Sequence, residues 1–192
     1  MIDLRDSLRF DAKELALISV FSSLWVVSEV SLGPTISQIT QVHGVIERVL
    51  GWLLMFMLAE LTGKFGRVTM MSAIASLATR IIRLGRLYAL FVGIGYALGG
   101  FTFDLLLFGS KETSEGKHGK SYLILISFLS GTIALIPYLL FELSVLGSYG
   151  FILWIPYYVY AMVKGVILSV LGTTLGILVS PRIKSLRPKI AG

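Results

Sequence analysis

Residues 87–108 read LYALFVGIGYALGGFTFDLLLF and are the clearest indication of the fold class of this chain. Asp104 is its only charged residue, and every other position is apolar, aromatic, glycine or threonine. About 20 consecutive, mostly apolar residues in a helix are enough to cross the hydrocarbon core of a bilayer. The stretch therefore predicts a transmembrane helix.

The composition of the whole chain agrees with that prediction. Of 192 residues, 55% are hydrophobic, 20 are glycine and only 15% are charged, and the mean hydropathy is +0.84. A globule of this size cannot bury so much apolar surface, so lipid is expected to cover the remainder. The absence of cysteine excludes a disulfide framework and a thiolate metal site.

Five further apolar stretches, on either side of residues 87–108, are long enough to be spans. We predict an all-α integral membrane protein, a single domain over residues 1–192 with six transmembrane helices. The spans are expected at about 14–32, 45–62, 68–84, 87–108, 122–146 and 151–179. We expect the fifth to be kinked or broken near Pro137, since proline interrupts helical hydrogen bonding.

The distribution of Lys and Arg predicts the orientation. If the N-terminus is cytoplasmic, twelve of the 17 basic residues fall in inner segments and three in outer ones. The three outer residues are Arg80, Arg83 and Arg86. Cytoplasmic loops are rich in Lys and Arg, so we predict a multi-pass cell-membrane protein with both termini cytoplasmic. The same bias explains the net charge of +6 without nucleic acid as a partner.

Motifs for catalysis are missing from the sequence. His43 and His118 are the only histidines, and no HExxH, nucleophile elbow or P-loop occurs. We therefore predict a protein that is not an enzyme, with no cofactor and no metal site.

Ionisable residues within the predicted spans are costly in hydrocarbon and mark candidate sites. Glu60 and Asp104 fall at cytoplasmic ends, where snorkelling or pairing with Lys64 explains them. A larger set lies toward the outer side, and two interpretations stay open: a polar cavity open to the outside, or mutual ion pairing. This set comprises Glu29, Glu47, Arg48, Arg80, Arg83, Glu142 and Lys164. For Arg80 we expect pairing with Glu29 or Glu142, or attraction of an anionic group.

Aromatic residues crowd the start of the sixth predicted helix. They form either an interfacial belt or a stacking wall for a flat or cationic ligand. The polar residues Gln41 and His43 of the first loop could cover a cavity in the same half. The candidate substrate-binding residues are therefore Glu142, Lys164, Trp154, Tyr157, Tyr158, His43, Gln41 and Arg80.

Pairs of small residues at i, i+4 let helix backbones approach in lipid. We expect internal packing for Gly95 with Gly99 and for Gly172 with Gly176. On the first helix, the small face of Ala12, Ala16, Ser19 and Ser23 is either a partner-docking surface or an internal contact.

Several of these segments carry a family resemblance. The chain resembles the substrate-capture S component of energy-coupling-factor (ECF) vitamin transporters. The resemblance rests on the first helix with Ala12-x-x-x-Ala16, on Leu32-Gly33-Pro34 read as a turn, on TGKFGRVTMMSAIASLA (62–78) and on GGFTFDLLLFG (99–109).

The resemblance implies a function and partners. An S component binds a vitamin near the outer face, under the loop after helix 1, and has no ATPase activity. It works with a transmembrane scaffold subunit and two cytoplasmic ATPase subunits, and its small-residue motif docks on the scaffold. Carried over here, docking falls on Ala12 and Ala16, or on Ser19 and Ser23. The aromatic set suggests thiamine or its pyrimidine precursor, whereas Lys164 suits a carboxylate vitamin. The alternatives are a non-transport membrane assembly or anchoring protein, and a stand-alone small carrier.

Overall fold

The computed structural model describes residues 10–82, 87–109 and 119–191, with backbone alone at 180 and 182–191. Every regular element within these residues is an α-helix. In chain order the helices are α1 (Ala12–Thr40), α2 (Val45–Thr62), α3 (Arg67–Ile82), α4 (Leu87–Gly109), α5 (Lys120–Ile133), α6 (Ile136–Leu153) and α7 (Ile155–Ala191).

Four helical segments are long and apolar enough to cross a membrane: α1, α4, α5 with α6, and residues 155–179 of α7. The other two helices fall short for different reasons. α2 carries three charged residues, Glu47, Arg48 and Glu60. α3 has 16 residues and is therefore about 24 Å long, below the roughly 30 Å of a hydrocarbon core. The chain is thus all-helical in its described residues and compatible with a membrane-embedded protein, and six spans stay a prediction.

Close helix packing in the core depends on small residues. A Cβ added at Gly172 or Gly176 of α7 would collide with α2, at the Val49 carbonyl and at Phe56 respectively. A Cβ at Gly95 of α4 would collide with the carbonyl of Ala134. These glycines therefore pack internally, as the sequence predicts, because without side chains the backbones approach closely.

The first helix is longer than its apolar sequence predicts. Leu32-Gly33-Pro34 was expected to form a turn, yet α1 continues through Pro34 to Thr40. Proline removes one backbone donor, but the two polar turns beyond it stay helical, and Thr40 Oγ1 donates to the Ile36 carbonyl at 2.7 Å. The actual connection to α2 is the short loop 41–44, where Gln41 and Gly44 have φ values of 56° and 80°.

The last two predicted spans also differ in detail from the sequence reading. The break expected near Pro137 lies between Ile133 and Ile136, and Pro137 occupies the first turn of α6, where proline is tolerated. The break predicted between residues 146 and 151 is present as a kink inside α6 at Gly147, whose φ of 66° and ψ of 173° are not helical. α7 begins at Ile155 and not near residue 151, and its helical backbone continues beyond 179 to Ala191. The basic C-terminal segment is therefore helical, consistent with the good helix propensity of Lys and Arg.

Candidate functional site

The antiparallel helix order gives the bundle two chemically different ends. The N-terminal end holds the start of α1, the turn 63–66 between α2 and α3, and the last turns of α4. The loop end holds loop 41–44, the end of α3 and the junction of α6 with α7. Polar side chains are buried at both ends.

At the N-terminal end, an acidic residue on α1 holds two basic residues of the α2–α3 region. Glu14 is 8% exposed and accepts from Lys64 and from Arg67, each at 2.6 Å. Arg67 has no exposed surface, and its Nη1 also donates to the Phe65 carbonyl at 2.9 Å. The charge of Arg67 is thus balanced by Glu14, and its guanidinium also has hydrogen-bond acceptors, which a buried ion pair requires in order to be stable.

Asp104 of α4 caps α3 at the same end. Its Oδ2 accepts from the backbone N–H of Gly66 at 3.0 Å, and from the N–H and hydroxyl of Thr69 at 2.8 Å and 2.7 Å. A carboxylate is favourable at a helix N-terminus, where backbone donors lack partners. The sequence-based expectation of snorkelling or pairing with Lys64 is therefore wrong for Asp104, which is fully buried, and Lys64 pairs with Glu14.

The loop end begins with a buried ion pair between α1 and α3. Glu29 is 1% exposed, and its Oε1 lies 3.1 Å from Nη2 of Arg80. This pairing is one of the alternatives that the sequence predicted for Arg80. The other two members of that arginine series, Arg83 and Arg86, lie outside the described residues.

A second buried cation, Arg48 of α2, lies among aromatic rings. Its Cζ is 5.2 Å from the ring centroid of Tyr96 and 5.3 Å from that of Trp52, and its Nη1 donates to the Gly131 carbonyl at 3.1 Å. The edge of Trp25 packs against Tyr96 with centroids 5.6 Å apart. Arg48 is therefore held in place by ring faces and by a carbonyl.

Loop 41–44 and the end of α1 form a groove beside these residues. Its volume is about 400 Å³, and it is lined by Gly33, Pro34, Ser37, Gln38, Gln41, His43, Gly44 and Glu47. We call it the loop groove. Lys164 of α7 reaches its wall, since Lys164 Nζ donates to the His43 carbonyl at 3.0 Å. The structure therefore brings together three sequence-predicted site residues, Gln41, His43 and Lys164.

The other predicted site residues lie apart from the loop groove. Glu142 of α6 accepts from the Tyr158 hydroxyl at 3.3 Å, and Tyr158 is buried against Phe151. Trp154 and Tyr157 pack edge to face on each other, but their side chains are 55% and 51% exposed. That exposure favours the interfacial belt over the stacking wall for these two rings.

A second groove runs between α1 and α3 on the outside of the bundle. Its volume is about 350 Å³, and it is lined by Ser19, Ser22, Ser23, Val26, Val27, Ile74 and Ala78. We call it the α1–α3 groove. All four predicted docking residues, Ala12, Ala16, Ser19 and Ser23, are exposed on α1. Their exposure favours a docking surface over an internal contact at these positions.

Sequence reasoning overlooked several residues of the loop end as site residues. Glu47 and Arg48 were placed in the outer-side set of ionisable residues but not among the candidate substrate-binding residues, and Gly33 and Pro34 were expected only to form a turn. Trp25 and Tyr96 gave no signal, because isolated aromatic residues in an apolar helix look like ordinary core. The one usable signal was the pair of adjacent charges Glu47-Arg48 near the start of α2.

Comparisons with protein-family models, curated proteins and solved structures gave no significant match to this chain.

Proposed function

We propose that this chain is the membrane-embedded substrate-capture (S) subunit of an ECF-type uptake transporter and binds a small vitamin in the loop groove. The observation that carries the proposal is the position of this groove beside two cationic side chains. Arg48 is 7% exposed, and Lys164 contacts the groove wall. Ionisable groups within a membrane bundle mark binding sites by default, because burying them without a function is costly.

The proposal includes a topology and partners. Six spans would place both termini in the cytoplasm and the loop groove on the outer face of the cell membrane, where a nutrient arrives. The chain itself has no enzymatic role in this scheme. A transmembrane scaffold subunit and two cytoplasmic ATPase subunits supply the energy.

The α1–α3 groove supports the partner half of the proposal. Ser19 and Ser23 of α1 line it together with Ala78 of α3. Two helices therefore contribute small side chains to the same groove on the outside of the bundle. Without a hydrophobic drive between helices in lipid, small residues favour close helix approach. A helix of the scaffold subunit would fit such a surface.

Thermal stability of the detergent-purified protein tests the capture function. A vitamin present at 100 times its dissociation constant should raise the free energy of unfolding by about 2.7 kcal/mol. The screen uses a vitamin panel that includes thiamine and its pyrimidine precursor. Ser37→Trp should abolish the shift by filling the loop groove, whereas Ser31→Trp, at an exposed position of the same helix, should preserve it.

Two outcomes would contradict the proposal. A panel that produces no shift would favour the non-transport assembly or anchoring protein. A shift accompanied by uptake into cells lacking any scaffold and ATPase subunit would favour the stand-alone carrier.

A further inference from the structure

We infer, resting on the proposed capture function, that the substrate is an organic anion whose carboxylate is received by Arg48 and Lys164 at the loop groove. The inference concerns the substrate class, which the sequence leaves open between a cationic ring compound and a carboxylate. Four features of the loop end support it.

The first feature is convergence of the two cations. Arg48 belongs to α2 and Lys164 to α7, and a Cβ placed at the adjacent Gly165 would lie 3.4 Å from Cζ of Arg48. Lys164 Nζ in turn bonds the carbonyl of His43, which lines the loop groove. Neither cation is among the groove-lining residues, but Lys164 contacts the groove wall and Arg48 follows the lining residue Glu47 in α2, so both lie next to the groove on different helices.

The second feature is the charge balance. No ion pair shown for residues 10–82, 87–109 and 119–191 joins a carboxylate to Arg48 or Lys164, although the nearby Glu47 acts electrostatically on Lys164. Glu29 is occupied by Arg80, and Glu47 is the one acidic side chain among the groove-lining residues. Two cations facing one carboxylate leave an excess positive charge, which is costly in a low-dielectric interior. An anionic ligand would compensate it.

The third feature is unused donor capacity. An ammonium group has three N–H donors and a guanidinium has five, yet the described chain gives one hydrogen-bond acceptor to Lys164 and one to Arg48. Trp25 Nε1, beside the same Tyr96 ring, is buried with no acceptor among the described residues. These donors can therefore take a further acceptor, and a carboxylate is an acceptor alone.

The fourth feature argues against a cationic ligand at this place. The ring faces of Trp52 and Tyr96 that would attract a cation already carry the guanidinium of Arg48. Tyr160 likewise lies 5.5 Å from Lys164 Nζ. The aromatic faces nearest to Arg48 and Lys164 are thus occupied by these two cations themselves.

Matched acid and neutral probes test the inference. We would measure thermal shifts of the full chain with nicotinate against nicotinamide, pantothenate against pantothenol, and biotin against biotinamide. At least one acid should bind, and its neutral partner should bind about ten- to hundredfold more weakly, because a hydrogen bond to a charged group contributes about 1.5–3 kcal/mol.

Two lysine variants locate the effect. Lys164→Met should weaken the binding of that acid by about ten- to hundredfold. Lys120→Met, the same substitution at an exposed position of the N-terminal end, should leave it unchanged. Arg48→Met should weaken the binding of the acid to a similar extent. Agreement between the two variants would show that the lost charge, and not the changed shape of one side chain, causes the effect.

A lipid arm separates a soluble acid from an anionic headgroup. The binding acid should shift the stability equally in nanodiscs of phosphatidylcholine with and without phosphatidylglycerol. The inference would be overturned if phosphatidylglycerol stabilised the protein and no soluble acid raised its stability further.

The remaining outcomes distinguish this inference from the proposed function. If thiamine or a neutral probe binds and every acid fails, the anion inference is wrong while the capture function stands. If no probe of any charge binds, both are wrong. Equal binding of an acid by Lys164→Met, Arg48→Met and the unmodified chain would also overturn the inference.

Discussion

The two ends of the bundle bury the same kinds of side chain with different results. At the N-terminal end, Glu14 accepts from two cations, and Asp104 accepts from three donors. At the loop end, Arg48 and Lys164 are met by carbonyl oxygens and ring faces and by no carboxylate in the described chain. The first arrangement holds helices together through the chain's own carboxylates, although Oδ1 of Asp104 is buried with no hydrogen-bond partner among the described residues. In the second arrangement the cations keep donors for another molecule.

The largest expected effect compares two buried arginines. Arg67→Met should reduce the free energy of unfolding by about 3–5 kcal/mol, because it removes one partner of a buried ion pair with Glu14. Arg48→Met should reduce it by about 1 kcal/mol, since a carbonyl bond and cation–π contacts are lost and no buried anion is stranded. Reversible unfolding in detergent–denaturant mixtures measures both.

Ligand binding gives the control for this pair. Arg48→Met should lose the acid-induced shift, while Arg67→Met should retain it at a temperature below its own unfolding transition. Equal destabilisation by the two substitutions would show that the loop end is as structural as the N-terminal end.

The next expected effect concerns the cap of α3. Asp104→Ala should destabilise the fold by about 2–3 kcal/mol, because it leaves buried donors of Gly66 and Thr69 without an acceptor. Asp104→Asn keeps one carbonyl oxygen at the same place and should cost less than Asp104→Ala. Equilibrium unfolding of the two variants against the unmodified chain is the measurement. An equal loss for both would indicate that charge, and not hydrogen bonding, is what α3 requires.

The class of fold could be predicted from sequence because lipid imposes a strong pattern. The length of the apolar stretches predicted the helices, and Pro137 predicted the break before α6. The ends of helices were harder to predict where a helix continues into polar sequence. The residues from Thr35 to Thr40 and the basic end of α7 are both helical, although neither is apolar. Hydropathy reports the lipid boundary, and a helix can extend past that boundary into water.

The candidate site was predictable only where charge itself gave the signal. Arg80 with Glu29, and Lys164 near loop 41–44, follow from depth counting along antiparallel helices. The surroundings of Arg48 do not, because Trp25, Trp52 and Tyr96 come from three helices whose rotation no single-sequence pattern determines. Trp154 illustrates the same limit. Its depth in the membrane could be predicted from its position along the span, but the direction of its side chain could not.

A smaller effect is expected from two serines that lie three residues apart on α1. Ser22 is 3% exposed and donates to the Met71 carbonyl at 3.2 Å, so Ser22→Leu should overpack the α1–α3 contact and destabilise the fold by about 1–3 kcal/mol. Ser19 is exposed, so Ser19→Leu should leave stability unchanged. Unfolding curves measure the difference.

The same pair tests docking at the α1–α3 groove. Ser19→Leu should reduce co-purification with co-expressed scaffold and ATPase subunits while leaving the ligand-induced thermal shift intact. Unchanged recovery of the complex would remove this groove as the docking surface. Destabilisation equal to that of Ser22→Leu would show that Ser19 packs internally.

The smallest expected effect is at Trp154, and it tests whether the aromatic residues at the α6–α7 junction belong to the site. The ring is 55% exposed, contacts Tyr157 at its edge, and is not among the residues that line the loop groove. Trp154→Ala should therefore change the free energy of unfolding by about 0.5 kcal/mol or less and the affinity for a bound acid by less than about twofold. Isothermal titration with the unmodified chain as reference measures the affinity. A ring that stacks on the ligand would instead contribute about 1–3 kcal/mol, so a loss of that size would return Trp154 to the binding site and move the substrate toward the α6–α7 junction.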